Sequence, residues 1–163
     1  MFVGDEVLLS VAFEVAKARL ASLWRGGLLT AAARDAYGLG TVNSPSGYGP
    51  SPSDVVQVRA RELSETADSA GLAIRWEITG PGGGPFPVLD ADINLTPAER
   101  ETTLLTLTGA YRRPGALGDA PERESVRRIA AVTIRSFLAR LAAGISGEPG
   151  PAESPGTFPV HCG

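Results

Sequence analysis

The longest periodic stretch of the chain lies near its end. Between residues 121 and 145, Val126, Ile129, Ala130, Thr133, Ile134, Phe137, Leu138, Leu141 and Ile145 recur at spacings of three and four. Arg123, Arg127, Arg128, Arg135 and Arg140 fill most of the positions between them. That rhythm predicts one amphipathic helix with an oily face covering about half its surface. A face that broad suits a curved sheet better than a narrow seam against one other helix.

Upstream, the pattern switches between two periods. Residues 3–11 read as a strand, with Val7, Leu9 and Val11 on one side and Leu8 and Ser10 on the other. The alanines of 13–23, with Lys17 and Arg19, favour a helix, which Gly26 and Gly27 break. A second short helix is expected over 28–37, closed by Gly38 and Gly40, with Thr30 a cap if it starts late. Residues 38–54, rich in Gly, Pro and Ser, then read as a long loop whose one large side chain is Tyr48.

Val56, Val58 and Ala60 alternate with Gln57, Arg59 and Arg61, and, after a turn at 68–71, Ile74, Trp76 and Ile78 alternate with Arg75, Glu77 and Thr79. A glycine- and proline-rich turn at 80–85 leads to a strand over 86–95, with Leu89, Ala91, Ile93 and Leu95 on one face. A turn at 97–101 precedes a strand over 102–111, with Leu105, Leu107 and Gly109 on one face, threonines on the other and Leu104 at the rim. No βαβ spacing occurs, so the sheet is expected to be antiparallel with helices on one face, an α+β fold. Residues 1–146 form a single domain on this reading, and 147–163 a disordered tail.

Composition narrows the chemistry. A hydrophobic content of 43% over 163 residues supports a folded globule with a real core. The net charge of -3 argues against a general nucleic-acid binder, and no basic strand interleaved with aromatics is present. Asp5 and Glu6 interrupt the first apolar stretch, which does not suit a signal peptide, and no run reaches the ~20 apolar residues of a membrane span. A cytoplasmic protein without membrane insertion is the expectation.

The candidate sites are sparse. His161 and Cys162 stand isolated in the tail, so neither a metal site nor a catalytic pair is expected. Asp90, Asp92 and Asn94 alternate along a strand, which sets them in a row and does not wrap them around calcium; the glycine and the terminal glutamate of a calcium loop are missing too. The 80–85 glycines lack the context of a phosphate loop. No serine has a histidine partner for a hydrolytic triad. No catalytic residue, metal or cofactor is therefore assigned.

The order of elements resembles the SRPBCC superfamily, which has the helix-grip or START/Bet v 1-like fold. The segments that carry the resemblance are 86–92 (FPVLDAD), 103–114 (TLLTLTGAYRRP), 126–130 (VRRIA) and 133–138 (TIRSFL). They look most like the small uncharacterised actinobacterial members, and the resemblance covers roughly residues 5–145. It implies a curved antiparallel sheet around a long C-terminal helix, two short helices after the first strand, seven strands and a hydrophobic cavity. The periodicity marks five strands clearly, so the region 55–95 is expected to divide further.

The resemblance implies a cavity lined by Val58, Trp76, Ile78, Leu89, Ala91, Ile93, Leu105 and Leu107 from the sheet and Thr133 and Phe137 from the helix, with Tyr37 and Tyr111 at its mouth. Val7, Leu9, Gly109, Ile134 and Leu138 extend the same inward row. The function implied first is binding of a small hydrophobic or aromatic molecule. The alternatives are a polyketide cyclase/aromatase-like enzyme, orienting its substrate with Tyr37, Tyr111 or Arg112, and an interaction or structural module with a filled core. The partners left open are a small hydrophobic ligand and a second copy of the chain in a homodimer.

Overall fold

A computed structural model describes residues 2–42, 55–79, 88–112 and 120–147. The elements run β1 (Phe2–Leu9), α1 (Phe13–Arg25), α2 (Leu28–Val42), β2 (Val55–Ala60), β3 (Ser64–Glu65), β4 (Ala70–Thr79), β5 (Val88–Pro97), β6 (Thr103–Arg112) and α3 (Ala120–Ser146). All strand pairings are antiparallel, in the order β1-β6-β5-β4-β2, with β3 beside the start of β4. The curved sheet wraps α3, and α1 and α2 follow the first strand: this is the helix-grip arrangement.

Alternation builds the inner face. Leu72, Ile74, Trp76 and Ile78 of β4, Leu89, Ala91, Ile93 and Leu95 of β5, and Leu105 and Leu107 of β6 are all buried. Against them α3 buries Ala130, Thr133, Ile134, Phe137, Leu138, Leu141 and Ile145. Phe137 meets Trp76 in a tilted ring contact with centroids 5.3 Å apart. On the outer face Arg75 pairs with Glu77 and Asp90, and Arg112 also reaches Asp90. Exposed pairs of this kind stabilise by a few tenths of a kcal/mol to ~1.

The end of α3 is tied down from the side. Gly147 takes the left-handed conformation, φ 75°, that stops the helix. Arg19 of α1 donates a 2.7 Å hydrogen bond to the carbonyl of Ile145, one of the last acceptors left without an intrahelical partner. Gly144 lets α1 approach closely, since a Cβ there would lie 3.1 Å from the Leu23 side chain.

The strands and helices differ from the periodicity in several places. β1 ends at Leu9, so Val11 lies beyond the strand expected to hold it. β4 begins at Ala70, inside the expected turn at 68–71, because Ala70 and Leu72 continue the inward row of Ile74. Their small neighbours Gly71 and Ala73 mask that alternation. α2 runs through Gly38 and Gly40 to Val42, so those glycines do not close it; packing against α3 and β2 outweighs the ~1 kcal/mol that a helical glycine costs. The helix also starts at Leu28, directly after Gly27 at φ 71°, which leaves Thr30 inside it. The two-residue β3 brings the strands among the described residues to six, one more than the five periodic runs and one fewer than the seven that the resemblance implies. Tyr48, the 80–85 turn, Phe86 with Pro87, and the tail with His161 and Cys162 lie outside the described residues. No described helix is long and apolar enough to cross a membrane.

Gly109 fixes how closely β5 and β6 approach. A Cβ at this position would sit 2.4 Å from the Asp90 carbonyl oxygen and 2.5 Å from the Ala91 Cβ, opposite which it pairs. The nearest atom is backbone, which cannot rotate away. Gly109→Ala is expected to destabilise the fold by roughly 1–3 kcal/mol, read as a lower urea midpoint. An unchanged midpoint would show that the strands separate at no cost.

Candidate functional site

Inward-facing side chains leave space at one end of the core. Trp76 and Ile78 from β4, Leu89 from β5 and Tyr111 from β6 form its floor, Thr133 and Ile134 of α3 its roof, and Tyr37 of α2 its side. The enclosed volume is only about 10 Å³, close to the minimum that one water needs. The inward row therefore nearly fills the interior at this position. A guest of any size enters only by displacing side chains.

The pocket is more polar than its walls suggest. Trp76 Nε1 and Thr133 Oγ1 are both buried without a hydrogen-bond partner. Each such group costs about 1–3 kcal/mol when left unsatisfied. Thr133 and Thr103 are the buried polar residues among those described; Thr103 donates a 2.8 Å hydrogen bond to the Val11 carbonyl, whereas Thr133 does not find an acceptor. Burial raises the pKa of the Tyr111 phenol far above its ordinary value, and the neighbouring Tyr37 adds to the shift. Tyr111 is consequently a neutral hydroxyl at physiological pH, suited to hydrogen bonding and unsuited to acting as a base.

Of the residues the sequence singles out, Tyr37, Trp76, Ile78, Leu89, Tyr111 and Thr133 come together here. Ala91, Ile93, Leu105, Leu107 and Phe137 are buried in the core beyond the pocket wall, and Val58 is half-buried on β2. Ile134 completes the pocket and has a second role. It also lines an open groove of about 560 Å³ between β1 and α3, with Phe2, Val3, Gly4, Asp5, Ala131, Arg127 and Arg135. The groove is absent from the sequence-based inventory. Its available signal is Asp5, which shares the phase of Val7 and Leu9 on β1 and so turns a carboxylate toward the helix. Arg135 answers it, with Nε 3.7 Å from Asp5 Oδ2.

No protein-family model and no curated protein matches the chain. Solved structures with which it aligns include a hypothetical protein from Helicobacter pylori, at 14% identity and a TM-score of 0.49 over 88% of this chain and 86% of that one. The ZhuI aromatase/cyclase from Streptomyces aligns at 17% identity and a TM-score of 0.46, over 90% and 92%. The human StarD13 lipid transfer and protein localization domain does so at 12% identity and a TM-score of 0.40, over 88% and 76%. The fold assignment rests on the strand order and on the seating of α3.

Two stability measurements probe the pocket. Thr133→Val removes an unpartnered buried hydroxyl at nearly constant volume, and a gain of about 1 kcal/mol is expected in ligand-free protein; a loss of that size in urea denaturation would reveal a hidden acceptor. Tyr111 gives a pH signature. Its folded pKa lies above the unfolded value of ~10, so its contribution is complete below pH ~10 and is lost as pH rises further, because only the unfolded chain readily releases the proton. Urea midpoints compared at pH 8 and pH 11 should fall less for Tyr111→Phe than for the native chain, and equal falls would contradict the burial of this phenol.

Proposed function

We propose that the protein binds a small hydrophobic or aromatic molecule between the inner face of its sheet and α3. One observation carries this reading: two buried polar atoms, Trp76 Nε1 and Thr133 Oγ1, lack partners at the place where the core leaves space. A core selected for stability alone gains nothing from leaving them unpaired. A guest with an apolar body and one hydrogen-bonding group satisfies them, and the walls of Trp76, Ile78, Leu89 and Ile134 match its apolar part. The SRPBCC resemblance of segments 103–114 and 133–138, and within that superfamily to small actinobacterial members, supports the same reading.

Binding on this reading is coupled to an opening motion, because the closed volume of about 10 Å³ admits nothing larger than water. That small volume also supports a second reading, an interaction module with a filled core. A cyclase-like activity would have to use Tyr111 as a neutral orienting hydroxyl, since its raised pKa makes it a poor base.

Native mass spectrometry of freshly purified protein separates the first two. The binding reading expects a population heavier by one small-molecule mass, released on denaturation. The bare chain mass at every purification stage, with no change in tryptophan fluorescence when an apolar probe is added, would favour the filled module.

A further inference from the structure

We infer that the groove between β1 and α3 is the mouth of this binding site, and that it selects molecules whose apolar body carries an anionic end. The inference rests on the binding reading above and adds a location and a ligand class to it. Val3, Ala131 and Ile134 supply apolar surface, while Arg127, Arg135 and Asp5 supply charge. Arg127 has no carboxylate partner among the described residues. Arg135 is held only loosely, its Nε 3.7 Å from the Asp5 carboxylate and its side chain 82% exposed. That separation is too long for a hydrogen bond, so the guanidinium keeps donors to offer.

The balance of the groove is therefore two guanidinium groups against one carboxylate. A guanidinium presents paired N–H donors in a planar fork, which matches a carboxylate, sulfonate or phosphate. Its volume of about 560 Å³ has the size of a small-molecule cleft. Ile134 is the residue common to the groove and to the deep pocket of Trp76, Tyr111 and Thr133. A molecule anchored by its anion at Arg127 and Arg135 places its apolar end against Ile134. That shared side chain is where the two spaces adjoin.

A matched pair of fluorescent probes tests this: 8-anilinonaphthalene-1-sulfonate, and N-phenyl-1-naphthylamine, which lacks the sulfonate. The sulfonate is expected to bind more tightly, and its affinity to fall with added salt. Arg127→Gln should weaken it roughly threefold, and Arg127→Gln with Arg135→Gln roughly tenfold, leaving the neutral probe unchanged. Asp5→Asn should tighten the sulfonate alone. Ala131→Trp, at an exposed helix position, should fill the groove and abolish binding of both probes while the circular dichroism stays native. Equal binding of the two probes, unmoved by the arginine and Asp5 substitutions, would overturn the anionic selectivity and leave the binding reading standing. Binding of neither probe to the folded native protein would overturn both.

Discussion

A sheet buried on one face needs apolar surface enough to cover its long strands, and α3 brings one broad stripe of it. Phe137 sits against Trp76, so that large side chains of helix and sheet meet there. Around that contact the rest of the fold adjusts. α1 and α2 pack beside α3, with α1 also meeting β5 and α2 meeting β2, and Arg19 and Asp35 tie them to it through the Ile145 carbonyl and Arg140. Gly109 and Ala91 keep β5 and β6 close where larger side chains would push them apart. Because protein interiors tolerate few voids, the space left near Trp76 and Thr133 marks the limit of what one helix covers.

Periodicity made the middle of each element legible and left the ends obscure. The inward rows of β5, β6 and α3 were readable because large aliphatic residues hold their period with few exceptions. β4 lost its first residues to Ala70, Gly71 and Ala73, whose small side chains carry no alternation signal even when Ala70 is fully buried. α2 outran Gly38 because tertiary packing, which no local pattern records, outweighed helix propensity. The pocket was half legible for a similar reason. Inward phase identified Trp76, Ile78 and Leu89, but which inward residues border a space and which fill one depends on the depth of α3 over the sheet.

The groove shows a different limit. Asp5 reads as an interruption of an apolar strand until α3 places Arg135 above it. β1 is an edge strand, and an inward charge on an edge is a known device against adding another strand. With Asp5 and Glu6 at the centre of β1, antiparallel pairing of two copies through this edge would bring carboxylates together. The same residue thus discourages sheet continuation and charges the wall of the groove. Phe2 and Leu8 remain exposed on either side of it, so charge, not a lack of apolar surface, protects this edge.

Ile134 borders two sets of polar groups of different kind. On the solvent side stand Arg127, Arg135 and Asp5, whose charges water can stabilise; on the inner side stand Trp76, Tyr111, Tyr37 and Thr133, which are neutral hydrogen-bonding groups. The division follows from desolvation: an ion moved to the inner side would lose several kcal/mol of hydration, whereas a phenol or indole loses far less. A molecule that spans both sides must be built the same way, charged at one end and at most weakly polar at the other. The raised pKa of the Tyr111 phenol has the same origin, since desolvation disfavours its anion and the neighbouring Tyr37 adds to the shift.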